Sequence, residues 1–196
     1  GLRRIIYLSG MVGDPPTPLK GLSAHLRSRA EVAQILSGGD TPTTILRAAQ
    51  ILGSGSASFE IIRYLVDRLP IMITPRWVRT QAQPISIKDV LDYLAGCLET
   101  PETIGQTYDI GGPDIVTYRQ LFNIYAEAAG LRKRIVLPVP LLSPKLSAYW
   151  VGLVTPVPSV LAKPLIMGLK SRVVCSENRI RDLIPLELSD CRTTIA

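Results

Sequence analysis

The chain has 196 residues, 46% of them hydrophobic, and 22 Lys and Arg against 16 Asp and Glu give it a formal charge of +6. That balance excludes a disordered chain or a fibre and suits one domain, or one with an appendage. The basic residues are scattered in twos and threes, without the aromatic-interleaved stripe that nucleic-acid binding asks for, so no nucleic-acid partner is expected. Cys97, Cys175 and Cys191 lie far apart, which fits neither a disulfide scaffold nor a metal site and points to a reducing, cytoplasmic setting.

In chain order, Arg4–Ser9 is a near-continuous apolar run ending at Gly10, the pattern of a strand buried in a parallel sheet. Leu22 to Ser37 has helical spacing, with Leu22, Leu26, Ala30 and Ala33 on one face and Gly38-Gly39 as a stop. Thr43–Arg47 reads as a second buried strand, which completes a βαβ unit. Ser58 to Leu69 is read as a helix. Ser86 and Asp89 open another, with Ile87, Val90, Leu91, Leu94 and Leu98 as its apolar stripe. Gln106–Ile110 is a strand closed by Gly111-Gly112, and Thr117 with Gln120 forms a capping box for a helix that ends at Gly130. Beyond Leu131 only short helices are expected, near Pro144–Val154, Val160–Leu169 and Glu177–Leu183. Prolines interrupt the apolar stretch from Ile135 to Leu169, so it holds no run near the ~20 residues that span a bilayer.

These elements predict an open α/β sheet, in which ligands bind beyond the carboxyl ends of the strands. That rule selects Ser9-Gly10, Arg47-Ala48-Ala49 and Gly111-Gly112. His25, the sole histidine, lies four residues before Arg29 on one helix face, where a guanidinium would lower the imidazole pKa and could hold an anion. An idle surface pair would show the same spacing. Ser9 could bind a substrate oxygen or cap the following loop. Gly53-Ser54-Gly55-Ser56 precedes a helix and could receive a phosphate, although the G-x-G-x-x-G spacing is absent. Arg76-Trp77-Val78-Arg79 could grip an acidic or planar ligand or form a surface turn. Arg76, Trp77 and Gln83 are the candidate substrate contacts.

The order of these pieces resembles an extended or atypical short-chain dehydrogenase/reductase, of the NAD(P)-dependent epimerase/dehydratase and NmrA-like group. RRIIYLSG resembles the fifth strand of that family, TTILRAAQILGSG the sixth, and QPISIKDVLDYLAGCLE with GQTYDIGGPDIVTYRQL two later segments. The resemblance implies NAD or NADP as cofactor, with Gly10, Arg47, Ala48, Ala49 and Ile51 near it. It places Ser9, His25 and Arg29 at the catalytic positions, His25 and Arg29 standing where the family has Tyr and Lys. It also implies a Rossmann-type part (residues 1–59 with 86–112) and a substrate-binding subdomain (60–85 with 113–196). The family's glycine-rich fingerprint belongs before the fifth strand. The expectation is therefore a piece of a longer oxidoreductase or sugar-nucleotide-epimerase-like protein, inactive alone, that takes a small, hydrophobic substrate. The alternative is a non-catalytic NAD(P)-binding regulator or assembly factor. Self-association through an exposed sheet edge is a further expectation.

Overall fold

The computed structural model describes residues 1–12, 22–139, 154–156, 165, 166 and 168–196. Strand β1 (Ile5–Gly10) leads to helix α1 (Ala24–Ser37), whose N-cap Ser23 accepts from the Leu26 amide at 3.4 Å and whose end is marked by Gly38. Strand β2 (Thr43–Ala48) then runs parallel to β1, from Ile5 opposite Thr43 to Gly10 opposite Ala48. Strand β3 (Ile51–Leu52), α2 (Ala57–Arg68) and β4 (Ile71–Thr74) follow, then a 3-10 turn at Arg76–Arg79 and the two short strands β5 (Gln81–Ala82) and β6 (Ile85–Ser86). Helix α3 (Ile87–Glu99) precedes β7 (Thr107–Ile110), which joins β2 on its other side in parallel. The order β1-β2-β7 leaves β2 in the middle, which is why all but Arg47 of its residues are buried whereas β1 is mostly half-buried.

The remaining elements are β8 (Val116–Thr117), α4 (Tyr118–Ala128), β9 (Ile135–Pro138), α5 (Arg179–Leu183) and α6 (Cys191–Ile195). Strand β3 pairs with β6 and β4 with β9, both in parallel, and β5 pairs antiparallel with β8. The capping box expected at Thr117 and Gln120 is present in full, and Gly130 adopts φ 66° just past the end of α4.

Two apolar cores result. One gathers β2 and β7 residues (Leu46, Tyr108, Ile110) with Val90, Tyr93 and Cys97 of α3 and Ile180 and Ile184 of α5 or its end. The other gathers α2, the 3-10 turn and α4, around Ile62, Val66, Trp77, Leu121 and Phe122. The buried face of α3 differs from the leucine stripe expected from spacing. Leu91 and Leu98 are exposed, and Asp89, Val90, Tyr93 and Cys97 face inward. Close packing decides this: a Cβ on Gly96 would lie 2.7 Å from Ile184 Cγ2, so α5 presses on the small-residue side of the helix. Asp89 is buried with polar partners: its amide donates to the Ser86 cap at 2.9 Å and its carboxylate accepts from the distant Ser189 amide at 3.0 Å. Helix α1 presents the expected stripe inward but covers it only partly, leaving Leu26, Ala30 and Ala33 half-buried.

Strand β9 and helix α6 had no counterpart in the periodicity. The short helices expected near Pro144–Val154 and Val160–Leu169 fall largely outside the described residues. Among the described residues no helix is long and apolar enough to cross a membrane.

Candidate functional site

A cleft of about 320 Å³ opens at the carboxyl ends of β1 and β2, the edge where parallel sheets bind ligands. Strand β1 delivers Leu8, Ser9 and Gly10 to it, and the backbone continues in register as Met11 donates to Ala48 O at 2.8 Å. The segment after β2 adds Ala48, Ala49, Gln50 and Ile51, and α1 adds His25, Leu26 and Arg29. Gly10 permits this approach of helix to strand, since a Cβ there would stand 2.9 Å from Leu26 Cδ2.

Arg29 spans the strand end. Its Nη1 donates to Leu8 O at 3.1 Å and its Nε to His25 Nε2 at 3.3 Å. An imidazole whose Nε2 accepts carries its proton on Nδ1, so this hydrogen bond assigns the tautomer. Partial desolvation first, and the Arg29 charge second, hold the His25 pKa below its ordinary 6.5. The ring is therefore neutral at physiological pH. Ser9 is 4% exposed, and its hydroxyl makes no hydrogen bond among the described residues.

The Gly53–Ser56 loop brings the start of α2 to the same cleft. Ser56 caps no amide there; its hydroxyl donates to Ile51 O at 3.0 Å and lies 3.0 Å from the Ser58 hydroxyl. Gly55, at φ 82°, makes the turn.

Four residues singled out by sequence lie elsewhere. Arg47 points away from the cleft: its Nε donates to the buried Asp109 at 2.7 Å, and that carboxylate also accepts from the Ser176 amide at 2.9 Å and hydroxyl at 2.7 Å. Alternation along β2 explains it, because Leu46 and Ala48 face one side and Arg47 the other. Gln83 is a buried strut, donating to Gly112 O at 2.8 Å and accepting from the Cys175 amide at 3.0 Å. Arg76 is exposed on the 3-10 turn, and its neighbour Trp77 is buried edge-on against Tyr118, ring centroids 5.6 Å apart.

Two residues absent from the sequence reading line the cleft. Gln50, 9% exposed, has an Oε1 without a partner among the described residues, and Tyr118 reaches the lining from α4. Gln50 lies within the segment that carries the family resemblance, but nothing in its spacing marks a polar side chain turned inward. Burial pushes the Cys175 and Cys191 thiols up to about 12, which leaves both unreactive at neutral pH. Among the described residues no group of three or more His, Cys, Asp or Glu is placed to hold a metal.

No family model matches the chain. In sequence it is 25% identical over 200 residues to the mitochondrial NADH dehydrogenase [ubiquinone] 1 alpha subcomplex subunit 9 of Arabidopsis thaliana, covering 96% of this chain and 48% of that protein. In structure it matches a nucleoside-diphosphate-sugar epimerase from Staphylococcus aureus with a TM-score of 0.75 at 16% identity, over 100% of this chain and 65% of that one. An NADPH-dependent quinone oxidoreductase from Escherichia coli gives 0.76 at 15% identity, over 100% and 67%. The Citrobacter triphenylmethane reductase complexed with NADP(H) gives 0.69 at 18% identity, over 100% and 65%. The chain thus spans about half the length of its curated relative and about two thirds of these solved structures. Its fold is the Rossmann-type α/β architecture of these epimerases and reductases.

Proposed function

We propose that the chain carries the substrate-facing part of an NAD(P)-dependent reductase, acting on a small, apolar carbonyl compound. The observation that carries this reading is the meeting of Ser9, His25 and Arg29 in one cleft whose other walls are mostly apolar or small. Sugar-nucleotide substrates ask for many polar partners, which walls such as Leu8, Met11 and Leu26 do not supply. The quinone oxidoreductase and triphenylmethane reductase among the structural neighbours agree with an apolar substrate.

The residues present fit the nicotinamide end of the cofactor. A flat ring needs a wall of small side chains to lie against, and Ala48, Ala49 and Ala57 offer one. Ribose hydroxyls and a carboxamide need polar partners, and the Ser9 hydroxyl and the Arg29 Nη2, unengaged among the described residues, offer them. At about 320 Å³ the cleft suits nicotinamide, ribose and a small substrate rather than a whole dinucleotide. The bound cofactor would supply the hydride.

Ser9 and the Nδ1–H of His25 donate hydrogen bonds to the substrate oxygen as negative charge develops on it. Arg29, behind the imidazole, stabilises that charge without moving a proton, since a guanidinium stays protonated. His25 thus polarises the carbonyl as a neutral donor, in contrast to a tyrosine that gives up its phenolic proton. Substituting His25→Phe in the full-length protein abolishes NAD(P)H oxidation by apolar carbonyl substrates, followed through the loss of NAD(P)H absorbance. Unchanged turnover in the variant overturns the assignment.

A second reading is favoured by the His/Arg pair and by the relative that is named as a subunit of an NADH dehydrogenase subcomplex. Here the protein binds NAD(P) without turnover and serves regulation or assembly. Nucleotide binding with no oxidation by the wild-type protein selects it, and robust turnover eliminates it.

A further inference from the structure

Strands β4 and β9 form a two-stranded parallel sheet, with Ile71 opposite Ile135 and Ile73 opposite Leu137. Its inner face is covered: Met72 and Val136 are buried in the core around α2 and α4. Its outer face is bare. Ile71, Ile73, Ile135 and Leu137 are 54%, 55%, 55% and 49% exposed. The register sets these four side chains at the corners of a patch roughly 5 Å by 7 Å at the backbone. Parallel strands are ordinarily covered on both faces, and strands that meet water carry polar residues there. Here each outward position holds a branched aliphatic, the mark of a surface that meets something apolar.

Both ends of the patch carry charge. Arg132 and Lys133 come just before β9, and Arg76 and Arg79 lie on the 3-10 turn just after β4, all four exposed. None of the four has an ion pair or hydrogen bond to another described residue. Arg134 differs, its Nε turned inward to donate to Val66 O at 2.8 Å. Asp67, at the end of α2, is engaged by Arg63 at 3.9 Å and by the Tyr125 hydroxyl at 3.5 Å. The aliphatic patch is therefore bounded at both ends by unpaired cations, on a chain of net charge +6. Protein interfaces favour aromatic side chains and Met at their centres and are depleted in Lys. A bilayer surface asks for what this face has: aliphatic side chains for the acyl boundary and cations for anionic headgroups.

We propose that the outer face of the β4–β9 sheet docks on a membrane surface rich in anionic lipid. Ile71, Ile73, Ile135 and Leu137 enter the boundary between headgroups and acyl chains. Arg132, Lys133, Arg76 and Arg79 meet the lipid phosphates and carboxylates. The attachment is reversible and lies on the surface, since so small an apolar patch holds weakly without its cations. Docking asks nothing of the cleft, so the proposal stands apart from the reductase reading.

Co-sedimentation of the full-length protein with vesicles reads the effect. The vesicles are phosphatidylcholine mixed with phosphatidylserine, or phosphatidylcholine alone. The wild-type protein is expected to partition onto the mixed vesicles at least about tenfold more strongly, an advantage that shrinks in high salt. Ile73→Thr with Leu137→Thr keeps strand-forming residues but removes apolar surface, and lowers binding to mixed vesicles about tenfold. Arg132→Gln with Lys133→Gln also lowers it about tenfold and leaves binding to the neutral vesicles unchanged. All four positions are exposed, and circular dichroism checks that the variants fold. If the Thr pair fails to fold, Leu137→Thr alone carries the comparison, with a loss of about threefold. No sedimentation with the mixed vesicles overturns the proposal, and so does binding that the folded Thr variant retains in full. Self-association that the Thr pair abolishes, without vesicle binding, makes the face a protein interface and overturns it too. Failure of the reductase reading looks different: no NAD(P)H is oxidised while the protein still sediments with anionic vesicles.

Discussion

His25 shows how a single side chain is set by two neighbours. Burial and Arg29 both disfavour the imidazolium, and burial is the larger cause. Because it is the sole histidine, its ring resonances report one titration without ambiguity. An NMR titration should place the midpoint below 6.5, and Arg29→Met should raise it only part of the way back. A midpoint at or above 6.5 in the native protein contradicts the arrangement. The sign for stability follows. As pH falls past 6.5 the unfolded chain takes up this proton before the folded one does, so folding stability drops between the ordinary pKa and the folded one. Above 6.5 the group contributes nothing to that dependence. Replacing it by Gln should flatten the acid side of the stability profile.

At this scale the sequence was readable in part. Ser9, His25 and Arg29 stood out because strand ends and i, i+4 pairs are local features. The inward turn of Gln50 and the outward turn of Arg47 depend on which side of β2 meets the cleft, and no local pattern carries that information.

Among elements, the join between β2 and β7 is held by more than its ladder. Asp109 is 3% exposed and takes three hydrogen bonds, from Arg47 and twice from Ser176, while its own amide donates to Glu177 at 2.7 Å. Asp109→Ala leaves the Arg47 guanidinium and the Ser176 groups without their acceptor, so a loss of about 3 kcal/mol in urea unfolding is expected. A loss under about 1 kcal/mol would mean that water replaces the carboxylate at little cost. The β–α–β start, the two capped helices and the strand before Gly111 were all legible, because caps and buried apolar runs are written in consecutive residues. Strand β9 was not. Ile135–Pro138 alternates exposed and buried positions beside β4, and its strand character comes from that partner 64 residues away (Ile71 to Ile135) rather than from its own pattern. The leucines of α3 misled for a related reason: the face that packs is chosen by Gly96 and Cys97, whose small size admits Ile184.

For the molecule as a whole, the segment just before β6 is pressed against the one just after β7. Gly112 donates to Pro84 O at 2.9 Å, and a Cβ on it would stand only 2.3 Å from that same oxygen. Backbone cannot yield as a side chain does, so Gly112→Ala should cost at least about 2 kcal/mol and lower the melting temperature by several degrees. Gly55→Ser, with open space around its Cβ, makes a useful comparison, since only its φ of 82° opposes the change. Equal melting temperatures for the two variants would show that the β6–β7 crossing is looser than its geometry indicates. None of this crossing was legible beforehand. The Gly111-Gly112 pair reads in sequence as a strand stop, and only the fold shows that one of its members is pressed against a second chain segment.

The Asp109 cluster also bears on time. Its hydrogen bonds reach 62 residues back to Arg47 and 67 residues on to Ser176, whereas β1, α1 and β2 are close neighbours along the chain. Contacts across such separations form only after the intervening loops have closed, so they come late in folding. Interactions made after the transition state govern how fast a protein comes apart more than how fast it forms. The carboxylate therefore acts as a latch on the finished sheet, setting the lifetime of the folded chain rather than the speed of its assembly.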